Sequence, residues 1–407
     1  MKTRIVASLL LGTALSVAAT SFALAQDKTV KIGSLSDQSG LYADLGGPGS
    51  TLAAQMAVED SGLVAKGWKI DIISGDHQNK PDVGVNIARQ WFDVDKVDAI
   101  VGVQNSGVAL AVTTVVKEKN GVFLDSGAAS SDLTGKACNA NTIHWAYDTY
   151  ALANGTGKAI VKDGGDSWYF ITADYAFGHT LQKETTAVVE ANGGKVLGSA
   201  NVPLNTPDFS SFLLQAQSSK AKVIGLANAG GDTTNSIKQA SEFGIVAAGQ
   251  KLAGLLVFIS NVNALGLEVA QGLTFTETFY WDMNEGTRAF SKRFSDRMTT
   301  HAKPTMVQAG DYASTLDYLK TLEAMGGNPH DGAKVVAKMK ELPTDDPLFG
   351  KGSIRIDGRK IHPAYLFEVK KPSESKYPWD YYKLIATIPA DEAFRPLSQS
   401  ECPLVKK

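Results

Sequence analysis

The chain has 407 residues, 43% of them hydrophobic, with 40 basic and 42 acidic side chains for a net charge of −2. With no basic tail or stripe, that balance offers nothing to hold a phosphate backbone and argues against nucleic acid as a partner. The two cysteines, Cys138 and Cys402, are too few for an iron–sulfur cluster or a structural zinc cage, so no metal or other cofactor is expected.

Lys2 and Arg4 precede an apolar run from Ile5 to Ala19, and Ala23-Leu24-Ala25 stands just before Gln26. Basic residues, a short apolar core and an A-x-A site make residues 1–25 an expected signal peptide and place the mature chain outside the cytoplasm, in the periplasm if the family likeness below holds. An uncleaved anchor is the alternative, although no stop-transfer pattern follows. Loss of Lys2 and Arg4 leaves 38 basic against 42 acidic residues, a charge of −4. No later stretch approaches about 18 uninterrupted apolar residues, so no membrane span is expected. Roughly 380 mature residues exceed the size at which one core stops growing, which predicts two domains.

Thr29–Leu35 reads as a strand running into the turn Gly46-Gly47-Pro48-Gly49, after which Leu52, Ala53, Met56 and Ala57 recur at helical spacing. Trp68–Ile73 is the next strand, and Asn79–Asp82 starts a helix whose stripe is Val83, Ile87, Ala88 and Trp91. Asp98–Gly102 and Gly121–Asp125 are short buried strands. Alternation resumes with strands at Trp168–Thr172, Lys195–Gly198, Lys222–Asn228 and Leu255–Ile259. Helices Leu181–Ala191, Phe209–Gln217 and Thr233–Phe243 separate them. Two βα series predict an α/β fold with two parallel sheets, each with ligand-binding loops at its carboxyl edge. Longer helices follow at Thr287–Thr299, Thr305–Met325 and Gly332–Glu341, then a hairpin turning at Asp357-Gly358. Tyr365–Val369 and Tyr382–Ala386 are the last strand candidates. In an oxidising compartment Cys138 and Cys402 are expected to pair, tying the C-terminal tail to a loop of the first domain; two free thiols are the alternative.

Several segments together carry a family likeness. They are Lys31–Gly40, Ile100-Val101-Gly102 followed by Asn105-Ser106-Gly107, Phe123–Ala128, and Asp174-Tyr175-Ala176-Phe177-Gly178. In order and spacing they resemble the branched-chain amino acid binding proteins of ABC transporters, over nearly all of the mature chain. The resemblance implies a type I periplasmic binding protein: two Rossmann-like lobes joined by three crossings, closing over a small ligand and delivering it to membrane permease subunits. Lobe 1 would comprise 26–146 and 277–350, lobe 2 147–276 and 351–390, with 391–407 a tail packed on lobe 1. The chain would act as a monomer and not as an enzyme. The P-loop motif G-x-x-x-x-G-K-[ST] is missing, in keeping with a chain that hydrolyses no ATP.

The resemblance also implies site residues. Asn105, Ser106 and the segment Ser126-Gly127-Ala128 match positions that receive the ligand carboxylate through hydroxyl and amide donors, although serines there also cap helices. Phe177 matches the ring that closes over the ligand, with Tyr175 adding a hydroxyl; core packing is the alternative. Asn228 and Asp232 follow a strand at the expected mouth, where Asp232 could equally cap the next helix. Amino-acid-binding relatives carry an acid after the next strand to pair with the ligand ammonium, but Leu256–Asn261 contains none. A buried ammonium without an anion is costly, so an ordinary amino acid fits only if Asp232 supplies the charge. Aromatic residues gather instead: Tyr42, Tyr147, Tyr150, Tyr175, Phe177, Phe258 and Tyr280. Such walls suit a flat carboxylic acid, a hydroxybenzoate or phenylpropanoid. Branched-chain or aromatic amino acids and small amides are the rival ligands, and a soluble sensor feeding a separate receptor is the rival role.

Other chemistry has little footing. His77, His144, His179, His301, His330 and His362 show no metal-ligand spacing, although His144 could reach the cleft. No G-x-S-x-G occurs; Asp93 and Asp95 read as a solvated loop, and Lys370-Lys371 and Lys406-Lys407 as solvated faces.

Overall fold

The computed structural model of the protein describes residues 27–406, so the expected signal peptide lies outside the described residues. The first of its two parallel sheets contains β1 (Thr29–Ser36), β2 (Lys69–Asp76), β3 (Ala99–Gly102), β4 (Val122–Asp125) and β5 (Thr142–His144). Their spatial order is β2-β1-β3-β4-β5. Helices α1 (Gly47–Ser61), α2 (Pro81–Gln90) and α3 (Ser106–Lys119) connect the early strands. Every residue of β3 and β4 is buried, as a parallel sheet covered on both faces requires. Helix α1 begins inside the glycine turn: Pro48 sits in its first turn, where a missing N–H costs nothing.

The chain crosses over through α4 (Thr149–Leu152) and α5 (Lys158–Lys162) into a second parallel sheet. Here β6 (Ser167–Ala173), β7 (Lys195–Val202), β8 (Val223–Ala227) and β9 (Lys251–Gly254) lie in the order β7-β6-β8-β9. Around it stand α6 (Ala176–Ala191), α7 (Ser210–Ser218), α8 (Gly230–Glu242), α9 (Ile259–Leu265) and α10 (Leu267–Ala270). In both sheets the order reverses beside the first strand, which opens a crevice at the carboxyl edge. The run Leu255–Ile259, expected as a strand, is instead a fully buried loop leading into α9. A short apolar run states burial and not backbone, and the strand itself lies earlier, at Lys251–Gly254.

A third sheet holds the last two expected strands, Tyr365–Val369 and Tyr382–Ala386, together with one that the hydrophobic pattern does not show. Strand β10 (Thr274–Glu277) leaves the second lobe, and the chain returns to it only after α11 (Glu285–Arg297), α12 (Met306–Met325) and α13 (Gly332–Glu341). The meander β11 (Thr344–Asp346), β12 (Gly350–Ile354) and β13 (Lys360–Ile361) follows. Then β14 (Ala364–Val369) pairs antiparallel with β10 and with β15 (Tyr382–Ile388), ahead of α14 (Ala390–Ala393). Helix α12 opens on a reciprocal cap between Thr305 and Gln308, is buried over most of its length and packs on α1 and on β3 and β4. The lobe boundary expected at 351 falls inside β12. That strand packs on α13, and Arg359 beyond its turn donates to the carbonyls of Trp145 and Tyr147 on the first crossing. Gly358, at φ +86, makes the tight turn possible.

A disulfide joins Cys138 to Cys402, with Cα atoms 5.5 Å apart. From the same tail, Arg395 pairs with Glu184 on α6 of the second lobe. Among the described residues no helix is long and apolar enough to cross a membrane, and no group of three metal-ligating side chains gathers.

Candidate functional site

Strand ends from both sheets converge on one small cavity. Its walls are Tyr42 and Leu45 after β1, Gln104 after β3, Ala129 after β4 and Tyr147 on the first crossing. The second lobe contributes Tyr175 and Phe177 at the start of α6, Ala229 before α8, and Leu256 between β9 and α9. The cavity measures about 10 Å³, room for about one water. The lobes are therefore closed on one another.

The aromatic wall residues are held by specific contacts. The Asp37 carboxylate accepts from Gly40 N and Tyr42 N, both at 2.8 Å, and so shapes the loop that carries Tyr42. Tyr42 and Tyr175 then meet hydroxyl to hydroxyl at 2.7 Å across the lobes. The Tyr147 hydroxyl donates to Gly127 O at 2.7 Å, and its ring stands edge-on to Phe258 at 6.1 Å. Phe177, 2% exposed, lies 5.9 Å from the Tyr175 ring. Burial pushes the phenols of Tyr42, Tyr147 and Tyr175 up, so all three act as neutral hydroxyls. No wall residue carries a charge.

The other expected site residues lie elsewhere, each for a local reason. Asn105 caps α3 by accepting from Val108 N, and Ser106 Oγ accepts from Ser130 N. The amides of Gly127 and Ala128 are spent on Asp125 Oδ1, at 3.2 and 3.0 Å. Ser126 turns toward α12, where its Oγ would lie 2.9 Å from a Cβ on Gly310. Asn228 bonds within its own helix start, to Ser236 and Thr233. Asp232 is not available as an ammonium partner, because its two oxygens accept from the backbone amides of Asn205 and Thr206. Burial pushes that carboxyl up to about 6 against those two bonds. Phe258 is fully buried behind Tyr147, and His144 Nε2 donates to Ala128 O inside lobe 1. Tyr280 lies in the loop after β10 and stacks on Tyr382 of β15 at 4.6 Å. Tyr150 lies under Arg395 in a separate open groove of about 860 Å³ between α3 and α6, rimmed by ion pairs such as Lys136–Asp132. Strand ends do not converge on that groove.

Sequence reasoning missed Leu45, Gln104, Ala129, Ala229 and Leu256. Gln104 was within reach of position alone, standing two residues beyond the end of β3. Small and aliphatic wall residues carry no chemical signature.

Two parallel-sheet lobes shut over a small internal cavity define a two-lobed solute-binding protein. The chain belongs to the periplasmic binding protein family, whose model matches residues 29–376. Among solved structures it is similar to a periplasmic binding protein from Burkholderia mallei, 51% identical, covering 93% of this chain and 100% of that one, with a TM-score of 0.90. It is also similar to a branched chain amino acid ABC transporter periplasmic ligand-binding protein from Burkholderia xenovorans, 40% identical over 93% and 100% of the two chains, with a TM-score of 0.82. A Leu/Ile/Val-binding protein homolog from Brucella melitensis is 24% identical, covering 92% of this chain and 96% of its own. The chain is therefore a solute-binding protein of an ABC transporter, in a family that binds small molecules and hands them to a permease.

Proposed function

We propose that the protein is an extracytoplasmic monomer that binds a small carboxylic acid with an aromatic body, such as a hydroxybenzoate or phenylpropanoid. The observation that carries this reading is the wall chemistry: three neutral tyrosines, Phe177, Gln104 and small apolar residues, with neither a carboxylate nor a cation. An ammonium would enter without an anionic partner, a costly desolvation. An anion fares better, because Gln104 precedes α3, Tyr175 precedes α6 and Ala229 precedes α8, so three helix N-termini point toward the cavity. Aromatic walls complement a flat ring. Tyr42 and Tyr175 share one hydrogen between them, which leaves the second phenol hydrogen for a ligand acceptor.

A branched-chain amino acid is the second reading, supported by the name of the Burkholderia xenovorans relative. A thermal-shift panel of benzoate, 4-hydroxybenzoate, cinnamate, leucine, phenylalanine and simple amides separates the two. Stabilisation by the aromatic acids alone supports the proposal; stabilisation by leucine with none by the benzoates sinks it.

A further inference from the structure

Behind the cavity wall lies a buried carboxyl group that the cavity reaches through two side chains. Asp311, on the second turn of α12, is completely buried. Its Oδ2 accepts from Ser50 Oγ at 2.5 Å, and Ser50 Oγ accepts from Gln104 Nε2 at 3.3 Å. The direction of this chain is set by its far end. Gln104 Oε1 already accepts from Asp37 N, so its nitrogen faces Ser50, whose own hydrogen points to Asp311. A Cβ on Gly46 would stand 1.7 Å from Gln104 Nε2, so only glycine leaves room for the carboxamide there. Because Gln104 lines the cavity, a continuous hydrogen-bonded path runs from the ligand site to Asp311.

Among the described residues no cation bonds to Asp311. Ser50 faces it from α1, Ser126 and Asp125 from the end of β4, and Tyr147 from the first crossing. His144 of β5, next to Asp125, is held neutral by burial and by the Arg359 charge. Asp125 is itself pushed up by burial. Burial likewise pushes Asp311 up to about 7, with Ser50 and Ser126 opposing. Among the described residues Asp311 Oδ1 is buried without a hydrogen-bond partner, which adds to the cost of ionising this carboxyl.

We propose that Asp311 is a proton acceptor coupled to the cavity through Ser50 and Gln104, so that an anionic ligand enters together with a proton. The proposal rests on the carboxylate reading above. Binding breaks no covalent bond: the ligand anion takes its place in the cavity, and one proton moves from buffer to Asp311. Negative charge in the cavity disfavours the ionised form of a buried acid, and by linkage the protonated acid favours the anion. Asp311 is thus a positioning residue that tunes the charge the cavity accepts.

Two measurements on the full mature chain test it. In ligand-free protein the Asp311 carboxyl carbon, assigned by its loss in D311N, should titrate near neutrality in NMR spectra and shift its midpoint in S50A. A carboxyl that does not titrate between about pH 5 and pH 9 overturns the proposal whatever the ligand. In the second measurement, calorimetry with 4-hydroxybenzoate in buffers of different ionisation heat should show proton uptake near pH 7, absent in D311N. Affinity should be roughly tenfold weaker at alkaline than at acid pH. Binding with no uptake, or with release, overturns the proposal. If 4-hydroxybenzoate does not bind and leucine does, the aromatic-acid reading fails, while the titration still decides whether Asp311 is a proton site.

Discussion

Tyr42 and Tyr175 join the two lobes through a single 2.7 Å contact between phenol oxygens, one from the loop after β1 and one from the residue before α6. Both hydroxyls are buried against the cavity, so the bond forms only when the lobes shut. A net hydrogen bond of this kind contributes about 1 kcal/mol. Y175F should therefore shift the population toward the open form and weaken ligand binding roughly fivefold. Y42F should do the same, and the two losses should be less than additive, because both variants remove the same bond between the lobes. Calorimetry gives the affinities, and small-angle scattering of the ligand-free variants gives the opening. Additive losses would show that the two hydroxyls act separately.

Gln104 tests the charge preference of the cavity. Its carboxamide is pinned between Asp37 N and Ser50 Oγ, so Q104E keeps the shape while placing a carboxylate in an otherwise uncharged wall. Binding of 4-hydroxybenzoate should weaken roughly tenfold or more, since like charges at close range in a dry site repel strongly. Tighter binding of leucine by the same variant would follow from the new partner for an ammonium. Unchanged 4-hydroxybenzoate affinity would remove Gln104 from the site.

The sequence made the architecture readable where burial and period agree. Ile100-Val101-Gly102 can only be a covered strand, and the series of strands and helices forces two parallel sheets. Site residues were readable where an aromatic follows a strand end: Tyr175 and Phe177 line the cavity beyond β6. Polar residues were not, because a serine or asparagine at a helix start looks the same whether it caps the helix or meets a ligand. Asn105 and Ser106 prove to hold backbone, as does Asp232. Tyr280 misled for another reason: β10, β14 and β15 pair across about 90 residues, and no local period shows that its ring stacks on Tyr382 of the third sheet.

The disulfide closes the chain over a separation of 264 residues, from the loop after β4 to the tail. Constraining so long a loop in the unfolded chain is worth about 2–4 kcal/mol. Reduction, or C402S, should lower the thermal midpoint by several degrees, read by circular dichroism with and without reductant. Ligand affinity should change little, because neither cysteine lines the cavity. The tail keeps a second attachment through Arg395 and Glu184, so R395A in the reduced protein should cost more than R395A in the oxidised one.

Asp317 on α12 offers a pH dependence whose sign can be worked out. Burial pushes its carboxyl up to about 7, with Lys360 of β13 opposing, and Lys360 is itself pulled down to about 8 by burial. Among the described residues Asp317 Oδ2 has no hydrogen-bond partner. In the unfolded chain an aspartate loses its proton near 4, whereas the folded protein keeps this one to about 7. Between those values the folded state binds more protons, so this group makes stability fall as pH rises from about 4 to 7. His77, held down to about 4 by burial, slopes the other way over part of the same window, so the wild-type profile alone cannot isolate Asp317. D317N removes the Asp317 slope and leaves those of His77, Asp232 and Asp311. Relative to wild type it should gain about 1–3 kcal/mol between pH 4.5 and pH 8 in urea denaturation. A difference that does not change with pH would mean that Asp317 is ionised in the folded protein throughout, with Lys360 as its charge partner.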